Sequence, residues 1–387
     1  MSDCKWCKYS VILVIINFLF LMTGISSSGI LRFTSTVSFL FNIFVWFLLL
    51  VHGKIKRSTV GNVIWIWTLF VVFQTLMIPN NTVGRLMTLL ESFYWVSFYF
   101  ICMHWFSMIR WTDSKRDTWI LRVFFLFAAV TLYVILTIGD KYNDNGVLIA
   151  KNVIFFPVFL TPWLTLIRNP KKKWIALGIL VLLAFFSLKR SALIIVFAGV
   201  ALAFIDRGYV KGVESASSKV FAIILLLCII GFLRFSPYSP LSDVQSRFEN
   251  IDSDDGNGRM DIYSLVLFKF DQLSIENKVF GAGYKKVQYD LTGGNLDSSL
   301  SAHNDFVEVL YDYGYVGESL YILLFFTILF RAIKYKREGE WYAISAFVGL
   351  FLFLIICLFS NLIIYPTYFL FLSAFWAFCE NQYRLKQ

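Results

Sequence analysis

Apolar runs of roughly 17–22 residues recur along this chain, and a run of that length crosses a bilayer as a helix. About twelve can be read: 10–25, 34–52, 60–79, 87–108, 118–138, 148–167, 173–188, 190–206, 219–235, 316–333, 341–359 and 361–379. No soluble fold accommodates so many. Charged residues make up 16% of the 387, too few to coat a water-soluble surface, while hydrophobic residues make up 58%. The expected fold class is therefore an all-α polytopic membrane protein.

The formal net charge of +10 raises the question of nucleic acid. Its distribution answers against it. With the N-terminus placed in the cytoplasm, the short inner segments hold 21 Lys and Arg, among them Lys54, Lys56, Arg57, Lys171, Lys172, Lys173 and Arg384. The short outer loops hold 5: Arg32, Arg85, Lys141, Lys189 and Arg190. This is the bias expected when cationic loops stay in the cytoplasm, so the charge reads as a topology signal. Both termini are then cytoplasmic and the number of spans is even. Residues 1–24 superficially resemble a signal peptide, but the apolar run is long enough to span, so an uncleaved first helix is expected. The Cys4-Lys5-Trp6-Cys7 pair has no second pair to complete a zinc site, and Cys102, Cys228, Cys357 and Cys379 lie in or beside spans as small apolar residues.

The spans divide the chain into 1–235, with nine of them, a long hydrophilic loop 236–315, and 316–387, with three more and a cytoplasmic tail. The loop faces the compartment opposite the termini. It opens with Ser236-Pro237-Tyr238-Ser239-Pro240, then passes an acidic turn, Asp252-Ser253-Asp254-Asp255-Gly256-Asn257-Gly258. That turn lacks the spacing and closing Glu of a calcium loop and reads as a solvated turn. From Arg259 a helix is predicted, capped by Asn257 or Gly258, with Ile262, Leu265, Val266 and Leu273 near one face. Arg259 in its first turn is unfavourable beside the partly positive helix end. It becomes favourable if an anion binds there; the alternative is a solvated surface arginine. Phe280-Gly281-Ala282-Gly283-Tyr284 and Gly293-Gly294 mark tight turns.

His303, in Ser301-Ala302-His303-Asn304-Asp305, is the one outward histidine of three; His52 and His104 fall at inner span ends. It is expected to start a helix and to share a face with Phe306, Val307, Leu310 and Gly314, with Asn304, Asp305, Glu308, Tyr311 and Asp312 elsewhere around it. A helix N-terminus and partial burial favour neutral imidazole, which can accept a proton. The alternative is a packed histidine with no chemical role. Lys189 and Arg190 lie between two strongly apolar runs with almost no loop, at or just within the outer boundary. Cations held there suggest function, and Arg190 heads a helix as Arg259 does; the alternative is snorkelling to headgroups. Glu91, within the fourth span, has no assigned role beyond a polar contact in the bundle.

Ser187-Leu188-Lys189-Arg190-Ser191-Ala192 before a span, Gly258-Arg259 before an amphipathic helix, Phe280-Gly281-Ala282-Gly283, and Ala302-His303-Asn304 with Tyr313-Gly314-Tyr315-Val316-Gly317 together resemble the O-antigen polymerases (Wzy-type) and O-antigen ligases. These are bacterial inner-membrane glycosyltransferases that use undecaprenyl-pyrophosphate-linked glycans. The likeness runs from about 187 to 320. It implies a GT-C-like helical enzyme, with a periplasmic catalytic loop containing short amphipathic helices and with neither metal nor cofactor. It carries a catalytic role, as base or hydroxyl-positioning group, to His303. It carries pyrophosphate binding to Arg190 and Arg259. Lys189, Arg247 and Asn304 join the substrate-binding candidates, Arg247 without a firm alignment. The chain departs from the family in its fairly short loop and in the few acids beside the histidine.

The expected reaction is inverting sugar transfer at the periplasmic face. Lipid-linked glycans serve as donor and acceptor, and a chain-length regulator and a flippase are the expected partners. Polymerase is favoured over ligase, because Lys189-Arg190-Ser191 and Ala-His-Asn-Asp-Phe look more like polymerases. A transporter or lipid flippase would show inverted repeats, broken helices and mid-membrane charges; no repeat is read here, and the polar residues gather at the outer face. A non-catalytic scaffold would leave His303 and Arg190 without purpose.

Overall fold

The computed structural model describes residues 2–23, 29–78, 84–109, 111–137, 152–187, 189–205, 259–294 and 301–387. Among the described residues the chain is helical, with turns and no strands. Six helices are long and apolar enough to cross a membrane, and three shorter apolar ones accompany them. The chain forms two compact units, residues 1–110 with 259–387, and residues 111–258.

The first unit contains α1 (Ser2–Met22), α2 (Gly29–Val51), α3 (Thr59–Met77) and α4 (Arg85–Met108). The second contains α5 (Asp113–Thr137), α6 (Phe155–Val158), α7 (Thr161–Thr165), α8 (Pro170–Ser187) and α9 (Arg190–Ile205). The chain then returns to the first unit with α10 (Arg259–Asp271), α11 (Ile275–Phe280), α12 (Lys286–Leu291), α13 (Asp305–Arg337), α14 (Ala343–Phe359) and α15 (Pro366–Lys386).

Five expected spans fall on α1 to α5, with ends that differ by up to eight residues. The run 148–167 does not form one helix. It is broken into a 3-10 turn at Asn152–Ile154, then α6 and α7. Pro157 and Pro162 explain the break, since each removes a helix N–H and crowds the preceding turn. The run 219–235 lies outside the described residues.

Within the first unit, α15 runs parallel to α4. Trp95 meets Phe369 at 4.4 Å between ring centroids, and Phe106 meets Phe378 at 5.6 Å. Trp67 of α3 lies 5.1 Å from Tyr313 and 6.0 Å from Tyr321 of α13. Polar pairs fix the register where aromatic packing alone would slide: Ser10 donates to Asn42, Ser35 to Asn17, and Ser38 bonds the Tyr94 hydroxyl. Large apolar side chains still cover the exterior, including Phe33 (68% exposed) and Leu69 (65%). Such a surface suits lipid, not water.

The unit has two chemically distinct ends. At one, Gln74, Glu91, residues 280–285, residues 301–312 and Asn361 gather. At the other, Arg331 and Tyr335 both donate to the Glu380 carboxylate, which also accepts the Thr59 N–H. Residues 280–285 and 301–312 of the loop predicted to lie outside thus collect at one end, and the cationic 53–58 loop lies at the other.

In the second unit, Asp117 is buried and organises the connection into α8. One carboxylate oxygen accepts the N–H groups of Arg168 and Asn169, and the other pairs with Arg116 at 3.2 Å. Only two residues separate α8 from α9, so the predicted near-loopless hairpin is present.

Candidate functional site

Asn304 starts α13. Its Oδ1 accepts the N–H groups of Phe306 and Val307, at 2.9 and 3.3 Å, so two otherwise orphaned donors are satisfied. The Asn304 carbonyl also accepts the Glu308 N–H at 2.9 Å. The side-chain oxygen of this substrate-binding candidate is therefore committed to the helix.

His303 precedes that cap. It is half-buried with φ 52°, in the left-handed region that few non-glycine residues occupy. It is not in the helix, so the expected face shared with Phe306, Val307, Leu310 and Gly314 does not form. The turn directs the imidazole independently of the helical repeat.

The acidic residues also depart from expectation. Asp305, Glu308 and Asp312 are fully buried, while Phe306, Val307 and Leu310 are only partly so. Each acid accepts backbone N–H groups from outside its own helix. Asp305 accepts the Leu362 and Ile363 N–H groups and the Tyr321 hydroxyl at 2.8–3.2 Å. Glu308 accepts the Ala302 N–H at 2.8 Å. Asp312 accepts the N–H groups of Lys285 and Val287, at 2.7 and 2.9 Å. Non-helical backbone beside a membrane bundle needs such acceptors, because water cannot supply them. A hydrophobic periodicity count does not detect this use of carboxylates.

Two loops meet at Gly281 and Gly314, both with positive φ, 90° and 67°. Gly314 is a kink that separates the short acidic opening of α13 from its long apolar part. Ala282 N–H donates to Tyr311 O and Gly283 N–H to Asp312 O, at 3.0 and 2.9 Å. The Gln74 amide of α3 donates to Phe280 O and Asp312 O, at 2.6 and 2.7 Å. The glycine turn predicted at 281–283 is thus a seat for the opening of α13.

Glu91, unassigned from sequence, fastens this seat to α4. Its Oε2 accepts the Tyr284 hydroxyl and Lys285 Nζ, both at 2.7 Å. Burial, and then the nearby Glu91 and Tyr313, push the Tyr284 phenol well above its usual range, so it remains a donor.

Arg259 is the first residue of α10, as predicted, and is half-buried. Arg259, Tyr263, Val266 and Phe270 follow helical spacing along one face. Val266 and Phe270 are buried in a cluster with Ala282, Val287, Ala302 and Tyr311. Leu265, expected on that face, is 44% exposed. Tyr263 donates to the His303 carbonyl at 3.4 Å. This contact ties the helix headed by Arg259 to the histidine turn.

Lys189 directly precedes α9; its carbonyl accepts the Leu193 N–H at 3.1 Å, and its own N–H donates to Ser187 Oγ at 3.3 Å. Arg190 is the first residue of α9. Its side chain lies outside the described residues, as do Arg247, the acidic turn and the expected caps Asn257 and Gly258. Among the described residues, no group of His, Cys, Asp and Glu has the arrangement to hold a metal ion.

Residues 175–322 match the Wzy C-terminal family model, described as O-antigen ligase. The match covers less than half of the chain and contains Lys189, Arg190, Arg259, His303 and the Gly281–Gly314 crossing. No curated protein matches the chain.

Proposed function

We propose that this chain, which carries the O-antigen polymerase and ligase family segment over residues 175–322, is an O-antigen polymerase of the bacterial inner membrane. It joins undecaprenyl-pyrophosphate-linked repeat units at the periplasmic face. The observation that carries the reading is the Tyr263–His303 contact, which sets a helix headed by arginine against a histidine in a strained turn.

The chemistry follows from charge. An acceptor sugar hydroxyl attacks the anomeric carbon of the donor. The new C–O bond forms as the bond to pyrophosphate breaks, with inversion. The leaving pyrophosphate takes the electron pair. In this reading the Arg259 guanidinium, beside the N–H groups of the α10 terminus, stabilises that negative charge. His303 takes the hydroxyl proton or orients the hydroxyl. Both termini and the basic loops are cytoplasmic, as their charge bias suggests.

The family description favours a second reading, O-antigen ligase, with the outer sugar of lipid A–core as acceptor. The test is transfer by purified enzyme from lipid-linked repeat units, offered either a second lipid-linked unit or lipid A–core. Extension of the lipid-linked unit supports the polymerase, and transfer to lipid A–core alone supports the ligase. No transfer by folded enzyme to either acceptor would overturn both.

A further inference from the structure

At the end of the first unit opposite His303 lies a cavity of about 390 Å³, lined by Gly53, Lys54, Ile55, Lys56, Arg57 and Arg384. Two segments more than three hundred residues apart bring four cations to one concavity, and no acid lines it. The nearby acids serve other groups. Glu380, one turn before Arg384, is buried against Arg331, Tyr335 and the Thr59 N–H. Glu338 accepts from Tyr383, and Glu340 pairs with Lys386. Among the described residues, no ion pair reaches Lys56, Arg57 or Arg384.

Cations that share a concavity repel one another until an anion sits between them. The guanidiniums present planar forks suited to phosphate oxygens. The place selects the source. The 53–58 loop joins α2 and α3, both long and apolar enough to span, so the cavity opens at a membrane–water boundary. The anion most concentrated there is a lipid phosphate. Ile55 offers an apolar wall to the glycerol and upper acyl region.

We propose that this cavity is a binding site for the phosphodiester headgroup of an anionic phospholipid. Lys56, Arg57 and Arg384 are its principal contacts, with Lys54 beside them. The site is distinct from the sugar-transfer site and does not depend on that reaction.

The experiment uses the full chain in detergent, probed with short-chain phosphatidylglycerol, short-chain phosphatidylcholine and inorganic phosphate. Readouts are native mass spectrometry and thermal stability. The expected result is retained phosphatidylglycerol and a raised Tm, with little effect of phosphatidylcholine. Lys56→Gln/Arg57→Gln/Arg384→Gln should weaken phosphatidylglycerol binding at least about tenfold. A variant removing three exposed cations elsewhere, Lys115→Gln/Lys171→Gln/Lys172→Gln, should bind as wild type. Arg384→Gln alone changes one exposed side chain near the chain end, and should weaken binding severalfold even if the triple variant folds poorly. Equal binding of the two lipids, or equal loss in both triple variants, overturns the site. Phosphate that stabilises as well as the lipid assigns the cavity to a soluble phosphate and overturns the lipid reading.

Discussion

Gly281 and Gly314 cross backbone against backbone, and neither has room for a methyl group. A Cβ on Gly281 would overlap Asp312 O and the Tyr313 Cα, and one on Gly314 would overlap the Gly281 nitrogen and the Val279 carbonyl. The crossing allows the Gln74 amide to reach Phe280 O and Asp312 O together. Positive φ adds a second penalty for any side chain. Gly314→Ala and Gly281→Ala should each destabilise by at least about 2 kcal/mol through overpacking and strain. The measurement is Tm in detergent. Gly339→Ala is the comparison: its φ is 70° but nothing lies within 4 Å of its Cβ. An equal shift there would place the effect in backbone strain alone, not the crossing.

Glu91 holds Tyr284 and Lys285 through one oxygen, and the side chains of the Glu91–Lys285 pair are 16% and 19% exposed. Removing one partner leaves the other charge half-buried. Glu91→Gln should therefore destabilise by about 1–3 kcal/mol, and the double variant Glu91→Gln/Lys285→Met should recover part of the loss. Limited proteolysis within 286–294 reports the same coupling, with faster cleavage in Glu91→Gln. Additive losses in the double variant would show that the pair contributes no coupling.

Asp305 serves the scaffold, its side-chain oxygens accepting two backbone N–H groups and a phenol. Asp305→Asn replaces one acceptor oxygen by a donor facing Leu362 N–H, Ile363 N–H or the Tyr321 hydroxyl. The expected cost is about 1–3 kcal/mol for an unsatisfied buried group. Sugar transfer per folded molecule should fall less than the folded fraction does. A fully stable Asp305→Asn enzyme without activity would move this residue from scaffold to chemistry.

The bundle was legible because apolar length is a one-dimensional property: α1 to α5 and the long part of α13 follow from counting hydrophobic residues. Arg259 at a helix head was also legible, from the glycine before it and the apolar spacing after it. The inward acids were not. The sequence only places Asp305, Glu308 and Asp312 off the His303 face, and their burial depends on N–H groups from residues 285–287, 302 and 362–363, none of which a local pattern reveals. Glu91 stands out in an apolar span, but its role depends on a partner 194 positions away. The break in 148–167 is carried by Pro157 and Pro162, which a count of apolar length does not weigh.

His303 combines two separable properties, a left-handed backbone and an imidazole. With φ 52°, most substitutions change both. His303→Gly tolerates the turn and removes only the ring, while His303→Ala removes the ring and strains the turn. His303→Asn also tolerates the turn and keeps hydrogen-bonding groups, but has no base near neutral pH. If the imidazole is the proton acceptor, all three should lose about 10²–10⁴ in single-turnover sugar transfer, whatever their stability. Tm should fall in His303→Ala and hold in His303→Gly and His303→Asn. Activity retained in His303→Asn but not in His303→Gly would make the histidine a hydroxyl-positioning group. Wild-type transfer by a folded His303→Gly enzyme would leave the residue a role only in the turn before α13.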